Sequence, residues 1–268
     1  LDATLRSLAK HTTLVDKVTI LFKASNPDFK KGYHKCFERH FPFKTHGIHE
    51  TNFHNDFIER LEVIQKEAEF VLGLTDDTIV YRNLLCDAQD IKNFWNDDTL
   101  CYSLRLGRNT TVQDCATGLP MMKIPAYEYI DSEHEKFLYW NWKKCPKDDN
   151  TGYPISMDSV IYESNLFYEI SKSIEFKNLR EWEGNLVEKT RKESKRNEMM
   201  CNEISSCVNL SINMTQFPFN KNMPYYISLE ELNIRFLAGE ILDLTKMLHN
   251  VEICGSHQFI KPLLIDRN

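Results

Sequence analysis

The sequence predicts an α/β protein of three layers, in which helices cover both faces of a mostly parallel central sheet. One observation predicts this fold class. Short apolar runs alternate with amphipathic segments of helical length through residues 1–106. Strands that alternate with helices in this way are usually joined by right-handed crossovers, and such strands run parallel. The total of 268 residues suits one large domain, in which a more irregular half at 107–268 follows the regular first half.

The local pattern of the first half justifies each of its elements. Helices are predicted at 2–10, 28–40, 54–67 and 87–95, where apolar residues recur at helical spacing. Strands are predicted at 18–24, 45–49, 70–74 and 100–106, where compact apolar runs stand between turn formers. The break at residues 25–27 includes a proline, which favours a loop before the second helix.

The second half has a weaker pattern. Residues 107–135 contain two prolines and two glycines, so we predict a long ordered loop there. Strands are predicted at 137–142, 156–162, 207–212 and 257–265, and helices at 165–173 and 178–198. The segment SLEE at 228–231 matches a capping box and predicts a helix to Ala238.

Composition excludes several classes of protein. A net charge of -6 argues against a general nucleic-acid binder, which normally carries a basic excess. No run approaches the roughly 20 apolar residues that span a bilayer, and the chain opens on a helix-like segment rather than on a leader. We therefore expect a cytoplasmic protein, a location that is compatible with peripheral attachment to a membrane. The eight cysteines lack CxxC pairs and zinc spacing, and we expect reduced thiols in the core.

Two adjacent acids follow the apolar run 70–74. Asp76 and Asp77 stand between Thr75 and Thr78. In open parallel sheets, ligands bind outside the carboxyl ends of the strands. Two carboxylates at such a place favour a hard divalent cation, whose remaining ligands a diphosphate supplies. The tetrad therefore predicts a metal and diphosphate site, with the alternative that the acids cap a helix or close a turn.

Further segments, taken in order, cover nearly the whole chain. They are LDATLRSL at 1–8, VTILFKASNP at 18–27, LTDDTI at 74–79, SLRLGRN at 103–109, WNW at 140–142, GYPISMD at 152–158, EWEG at 181–184 and GSHQ at 255–258. Their order and spacing resemble glycosyltransferases of the GT-A fold, of the bacterial and viral type related to the large inverting family 2.

The resemblance implies a metal-dependent, inverting transfer of a sugar from a nucleoside-diphosphate sugar to a hydroxyl acceptor. It implies Mn²⁺ or Mg²⁺ as the cofactor and a saccharide or glycoconjugate, for example in surface glycan synthesis, as the acceptor. Residues 1–106 would form the nucleotide-sugar-binding half and residues 107–268 the acceptor-side half. The resemblance alone places Lys23, Ala24 and Ser25 near the nucleotide.

The sequence departs from the family pattern at two points. Thr78 stands where the family has a second metal-binding carboxylate, and its hydroxyl is a weaker ligand. Asp77 is therefore expected to be the direct metal ligand, with Asp76 on the ribose or on a metal-bound water. The family's first strand would precede Leu1, which would leave part of the sheet unpaired.

Three other residues receive candidate roles. Glu183 falls where such enzymes carry the general base that takes the acceptor's proton, with an exposed position on a charged helix as the alternative. Asp158 lies in a strand-like segment where aspartate is disfavoured, which a contact to acceptor hydroxyls or a turn cap would explain. His257 is a candidate metal ligand, although a solitary histidine is more often a surface or core residue.

Arginine and tryptophan side chains complete the candidate site. Arg105 flanks a turn after an inner strand, where it would bind the diphosphate or form a surface salt bridge. Trp140 and Trp142 alternate on one strand, and they would stack on the acceptor sugar or pack in the core. Two rival functions remain. A sugar nucleotidyltransferase would normally carry a glycine-rich phosphate loop near its start, and a non-catalytic glycan-binding or scaffold domain would agree with Thr78.

Overall fold

The computed structural model describes residues 1–84, 86–113, 118–131, 135–210, 212 and 227–266. The described helices are α1 (Asp2–His11), α2 (Pro27–Phe37), α3 (Phe53–Glu67), α4 (Ala88–Phe94), α5 (Ser164–Ser171), α6 (Leu179–Glu193), α7 (Leu229–Ala238) and α8 (Leu244–Leu248). The described strands are β1 (Lys17–Phe22), β2 (Lys44–His49), β3 (Phe70–Gly73), β4 (Thr78–Val80), β5 (Thr99–Ser103), β6 (Glu128–Asp131), β7 (Lys136–Asn141), β8 (Val160–Glu163), β9 (Glu198–Asn202), β10 (Cys207–Leu210), β11 (Glu240–Leu242), β12 (His257–Gln258) and β13 (Leu264–Asp266).

Side-chain caps explain where the helices begin. The Asn26 side chain accepts hydrogen bonds from the first turn of α2, and Pro27 occupies a position where no N–H donor is needed. Asn52 and Asn178 cap α3 and α6 in the same way. Ser228 accepts from Glu231 N at 3.0 Å and caps α7, as the sequence predicts. Local chemistry therefore fixes these boundaries to within about two residues.

A mixed six-stranded sheet lies at the centre, in the order β3-β8-β5-β9-β7-β6. The pair β5–β9 is parallel, and the other four pairs are antiparallel. Smaller sheets pair β1 with β2 in parallel and β11 with β13 antiparallel, while β10 lies between an antiparallel β4 and a parallel β12. The protein is therefore α/β with a mixed sheet, and these pairings do not show the mostly parallel sheet that the alternation predicts. Among the described residues β1 pairs with β2 alone and β3 with β8 alone, so β1 and β3 are edge strands of their sheets.

Several second-half predictions are wrong in their boundaries. The predicted loop at 107–135 contains the edge strand β6, and the predicted helix at 178–198 ends at Glu193, before β9. The predicted strand at 156–162 begins only at Val160, because Ser159 has a left-handed backbone with φ of 61°. Hydrogen bonds to distant strands, rather than local periodicity, decide β9 and the turn at Ser159, whereas β6 pairs with the neighbouring strand β7.

The core consists of large aromatic side chains between the central sheet and the helices. Trp140, Trp142 and Trp182 are fully buried, and the rings of Tyr162 and Phe167 stack with their centroids 4.5 Å apart. Six described cysteines (Cys36, Cys86, Cys101, Cys145, Cys201 and Cys207) are buried, as expected. Within the described ranges, no helix is long and apolar enough to cross a membrane.

Candidate functional site

The acidic tetrad forms the corner between β3 and β4. β3 ends at Gly73, Thr78 N donates to Thr75 O at 3.2 Å, and β4 begins at Thr78. A hydrogen bond also joins the corner to α1, in which Thr4 Oγ1 donates to Asp76 O at 2.7 Å. The tetrad is therefore a turn with fixed backbone, and its two acids point in different directions.

Asp76 is exposed and faces α2. Burial, followed by the charge of Asp76, raises the pKa of Tyr33 to about 12. The Tyr33 ring lies 4.6 Å from that of Phe22, the last residue of β1. Asp76 is thus placed on the side of the corner where residues 23–25 leave β1.

Asp77 lies on the inner side of the corner. Burial, followed by the nearby charge of Asp158, raises the pKa of Asp77 from 3.8 to about 6. Its backbone oxygen accepts from Leu210 N at 2.9 Å, so β10 holds the residue in place. A carboxylate that is both desolvated and close to another acid favours a cation beside it.

A row of three polar side chains crosses the small sheet beneath Asp77. Asn209 of β10 is in register with Thr78 of β4 on one side and with His257 of β12 on the other. Because in-register neighbours point to the same face of a sheet, the three side chains share one face. The fold therefore brings together residues that are separated by up to 179 positions in the chain.

Hydrogen bonds join this row to Asp158. Thr75 Oγ1 donates to Asp158 Oδ1 at 3.0 Å and accepts from Asn209 Nδ2 at 3.1 Å. His257 Nε2 lies 3.7 Å from Asp158 Oδ2, and its side chain is 37% exposed. Asp158 consequently stands at the junction of the tetrad and the histidine strand.

A strained turn places Asp158. Ser159, which follows it, has a φ of 61°, a conformation that non-glycine residues rarely adopt. Its backbone N donates to Gly73 O at 3.0 Å, and its backbone oxygen accepts from Leu104 N at 2.8 Å. The end of β3 and the residue after β5 thus hold the turn. Strain that is maintained by surrounding structure is common at functional sites.

Glu183 lies on α6, across the site from the tetrad. Burial, followed by the charge of Asp158, raises the pKa of Glu183, while the Arg105 guanidinium and a hydrogen bond from Tyr153 partly oppose the rise. Met157 N donates to Glu183 Oε2 at 3.4 Å. A half-buried carboxylate with a raised pKa has the character of a general base.

The structure corrects the predicted role of Arg105. Its side chain is only 5% exposed, and its Nη1 lies 3.4 Å from Asp158 Oδ2. The positive charge of the guanidinium therefore balances the charges of Asp158 and Glu183. Because the side chain is buried beside Asp158, it is not available to bind a diphosphate.

The predicted roles of Trp140, Trp142 and Thr78 also need correction. Both tryptophans are completely buried, and Trp140 Nε1 donates to Thr151 O at 2.7 Å. They pack in the core and offer no face to an acceptor sugar. Thr78 is fully buried and donates to Asn209 Oδ1 at 3.1 Å, so it supports the site from beneath rather than binding an ion.

The predicted nucleotide-side residues lie in the turn after β1. Lys23 is largely exposed, and its Nζ lies 3.3 Å from Glu50 Oε1. Ser25 is exposed, and Ala24 is half-buried. They share the Asp76 side of the corner, whereas the other predicted residues (Asp77, Thr78, Arg105, Asp158, Glu183 and His257) cluster on its inner side.

The donor groups fit a divalent cation only with help from a ligand. Within the described part of the chain, no three His, Cys, Asp or Glu side chains are arranged to enclose a metal. Mg²⁺ and similar ions, however, are commonly bound by one or two carboxylates together with substrate phosphates. Asp77, with Asp76 beside it, fits that second kind of site.

Sequence reasoning missed Thr75, Tyr153 and Asn209 as site residues. Asn209 is the clearest omission, because it reads in the sequence as part of an N-x-S sequon. It is only 1% exposed, which is incompatible with a glycan on its amide. A polar amide inside the apolar strand β10 was the signal that could have identified it.

The comparisons with known proteins add no assignment. No protein-family model matches the chain, and no curated protein matches it either.

Proposed function

We propose that the protein is a metal-dependent inverting glycosyltransferase, which moves a sugar from a nucleoside-diphosphate sugar to a hydroxyl acceptor. One observation carries the proposal. Glu183, a half-buried carboxylate with a raised pKa, lies near Asp158, and hydrogen bonds through Thr75 and Asn209 join Asp158 to Asp77, the candidate metal ligand. An in-line transfer needs a base for the acceptor and a cation site for the diphosphate within one cleft.

The proposed division of labour follows from this placement. Glu183 accepts the proton of the acceptor hydroxyl, and its elevated pKa keeps it basic enough for that task near neutral pH. Asp158, which is partly exposed, would bind hydroxyl groups of the acceptor, and His257, whose Nε2 lies 3.7 Å from Asp158 Oδ2, would contribute to the metal site. When bound through Asp77, a Mn²⁺ or Mg²⁺ ion would neutralise the diphosphate leaving group.

The proposal extends to the fold and the partners. Residues 1–106 would bind the donor and residues 107–268 the acceptor, in a GT-A-like arrangement of three layers. Asp76 is placed for the ribose, beside the turn that contains Lys23, Ala24 and Ser25. The acceptor would be a saccharide or glycoconjugate of a surface glycan, and the site of action would be the cytoplasm or the cytoplasmic face of a membrane.

Calorimetry tests the donor half of the proposal. UDP-sugars and GDP-sugars are titrated into the protein with Mn²⁺ and with EDTA. We expect binding that requires the metal and that Asp77→Asn abolishes. Absence of any metal-dependent nucleotide binding would refute the proposal, and binding that is indifferent to Asp77→Asn would refute the placement of the metal.

Kinetics of Glu183→Gln tests the base. We expect donor affinity to persist while kcat falls by about 10²- to 10⁴-fold. Glu188→Gln is the matched control, since Glu188 is exposed on the same helix and pairs only at 3.9 Å with Lys192. Because Glu183 must be ionised to act and its pKa is raised, the acidic limb of the pH–rate profile should lie above the 4.5 of an ordinary glutamate. Equal loss in both variants would exclude a specific role for Glu183.

A non-catalytic glycan-binding domain is the second candidate function. The buried Thr78, in place of a metal-binding carboxylate, favours it. Such a domain would bind oligosaccharides equally well with and without Mn²⁺ and nucleotide. Oligosaccharide titration in EDTA therefore separates the two functions.

A further inference from the structure

Asn209 occupies the centre of the candidate site without an exposed surface. It lies on the middle strand β10 and is 1% exposed, between the apolar residues Val208 and Leu210. Burying an amide in an apolar strand is unfavourable unless every donor and acceptor finds a partner. The hydrogen-bond partners of Asn209 therefore indicate its function.

The hydrogen bonds around Asn209 have a definite direction. Its Oδ1 accepts from Thr78 Oγ1 at 3.1 Å. Its Nδ2 lies 3.1 Å from Thr75 Oγ1 and 3.4 Å from Asp77 Oδ1. An ionised carboxylate only accepts, so the amide nitrogen, and not the amide oxygen, must face Asp77.

The same amide nitrogen reaches Asp158 through one hydroxyl. A threonine hydroxyl has a single hydrogen, and Thr75 gives it to Asp158 Oδ1 at 3.0 Å. Thr75 must then accept from Asn209. One N–H group of the Asn209 amide thus donates to Asp77. The other donates to Thr75, which in turn donates to Asp158.

We propose that Asn209 is a positioning residue for both carboxylates, which holds Asp77 for the cation and Asp158 for the sugar or acceptor in one fixed relation. This inference rests on the proposed function of the site. An amide is required, because a carboxylate at this position has no hydrogen to donate and would repel Asp77. An apolar residue would leave Asp77 without this donor, and it would leave Thr75, which donates to Asp158, without the amide that fixes its hydroxyl.

The test compares Asn209→Ala and Asn209→Asp with a matched control. Asn202→Ala removes another buried strand amide, whose partners Tyr102 and Ser206 lie outside the site. For each protein we would measure the thermal midpoint, the Mn²⁺ dissociation constant by EPR titration in the presence of a nucleoside diphosphate that the wild-type protein binds, and kcat and KM with a nucleotide sugar. Partners of this kind typically contribute 10- to 100-fold to metal affinity.

We expect Asn209→Ala to weaken Mn²⁺ binding about tenfold and to raise KM for the donor, with Asn209→Asp weaker still. Asn202→Ala should lower the thermal midpoint at least as much and leave both constants unchanged. Two results would overturn the inference: Mn²⁺ affinity that is unchanged in a folded Asn209→Ala, or affinity in Asn209→Asp that equals or exceeds wild type. If the wild-type protein itself binds neither Mn²⁺ nor nucleotide, the proposed function fails first and the inference falls with it.

Discussion

Replacing Asp77 with asparagine should make the metal-free protein more stable at neutral pH. Burial and Asp158 raise the pKa of Asp77 from 3.8 to about 6, so the folded state binds a proton more tightly than the unfolded chain does. For an acid with a raised pKa, ionisation opposes folding. The penalty is absent below about pH 4, grows between about pH 4 and pH 6, and is complete above that range. Asparagine has no charge and escapes the penalty at every pH.

The shift in pKa sets the size of the effect. A difference of about two pKa units corresponds to at most about 3 kcal/mol, at 1.36 kcal/mol per unit. Asp77 is half-buried rather than sealed, so solvent screening reduces the expected gain to about 1–2 kcal/mol at pH 8. For a chain of this size, that gain raises the thermal midpoint by about 2–8 °C.

Urea unfolding in EDTA at pH 4, 6 and 8 would measure the change. Asp56→Asn provides a control of opposite sign, because the N–H groups of Thr51 and Asn52 lower the pKa of Asp56. That variant should lose stability at pH 8 and recover as the pH falls. If Asp77→Asn proves less stable than wild type at pH 8, Asp77 is a structural acceptor, and its place as a functional carboxylate is wrong.

Four other substitutions, at three positions, test the geometry of the site. Gly73→Ala should lower stability by about 1–3 kcal/mol and weaken Mn²⁺ binding, because the new Cβ would lie 3.0 Å from the Met157 sulfur and 3.2 Å from its Cα; unaltered calorimetry would show that the turn adapts. Ser159→Gly should stay within about 1 kcal/mol of wild type in urea, whereas Ser159→Val should lose roughly 1–3 kcal/mol more, since a β-branched residue resists positive φ. Trp140→Ala should lower the free energy of unfolding by about 3–5 kcal/mol and leave the KM for the acceptor unchanged in the folded fraction. A raised KM for the acceptor would show that Trp140 contributes to acceptor binding.

Much of the first half could be predicted from local sequence. α1 and α3 lie within one residue of their predicted positions, and α2 begins one residue before its predicted start and ends three residues before its predicted end. Caps such as Asn26 and the helical spacing of apolar residues act within a few positions of the chain. β3 and its following acids were also found, since a short apolar run that ends in charge is a local signal. The second half gave weaker signals, because β9 forms between β5 and β7, which are both distant in the sequence, whereas β6 is an exposed edge strand paired with its neighbour β7.

The sequence by itself determined which residue types were available for chemistry: two adjacent acids after a strand, a helical glutamate and a late histidine. Only the tertiary structure decided which of them meet. It buried both tryptophans of 140–142, placed Arg105 beneath the acids, and brought Asn209 between Thr78 and His257. The physical reason is that strand register and desolvation are set by packing between distant segments. No local sequence pattern predicts which carboxylate is desolvated in the folded protein or which amide donates a hydrogen bond to it in place of water.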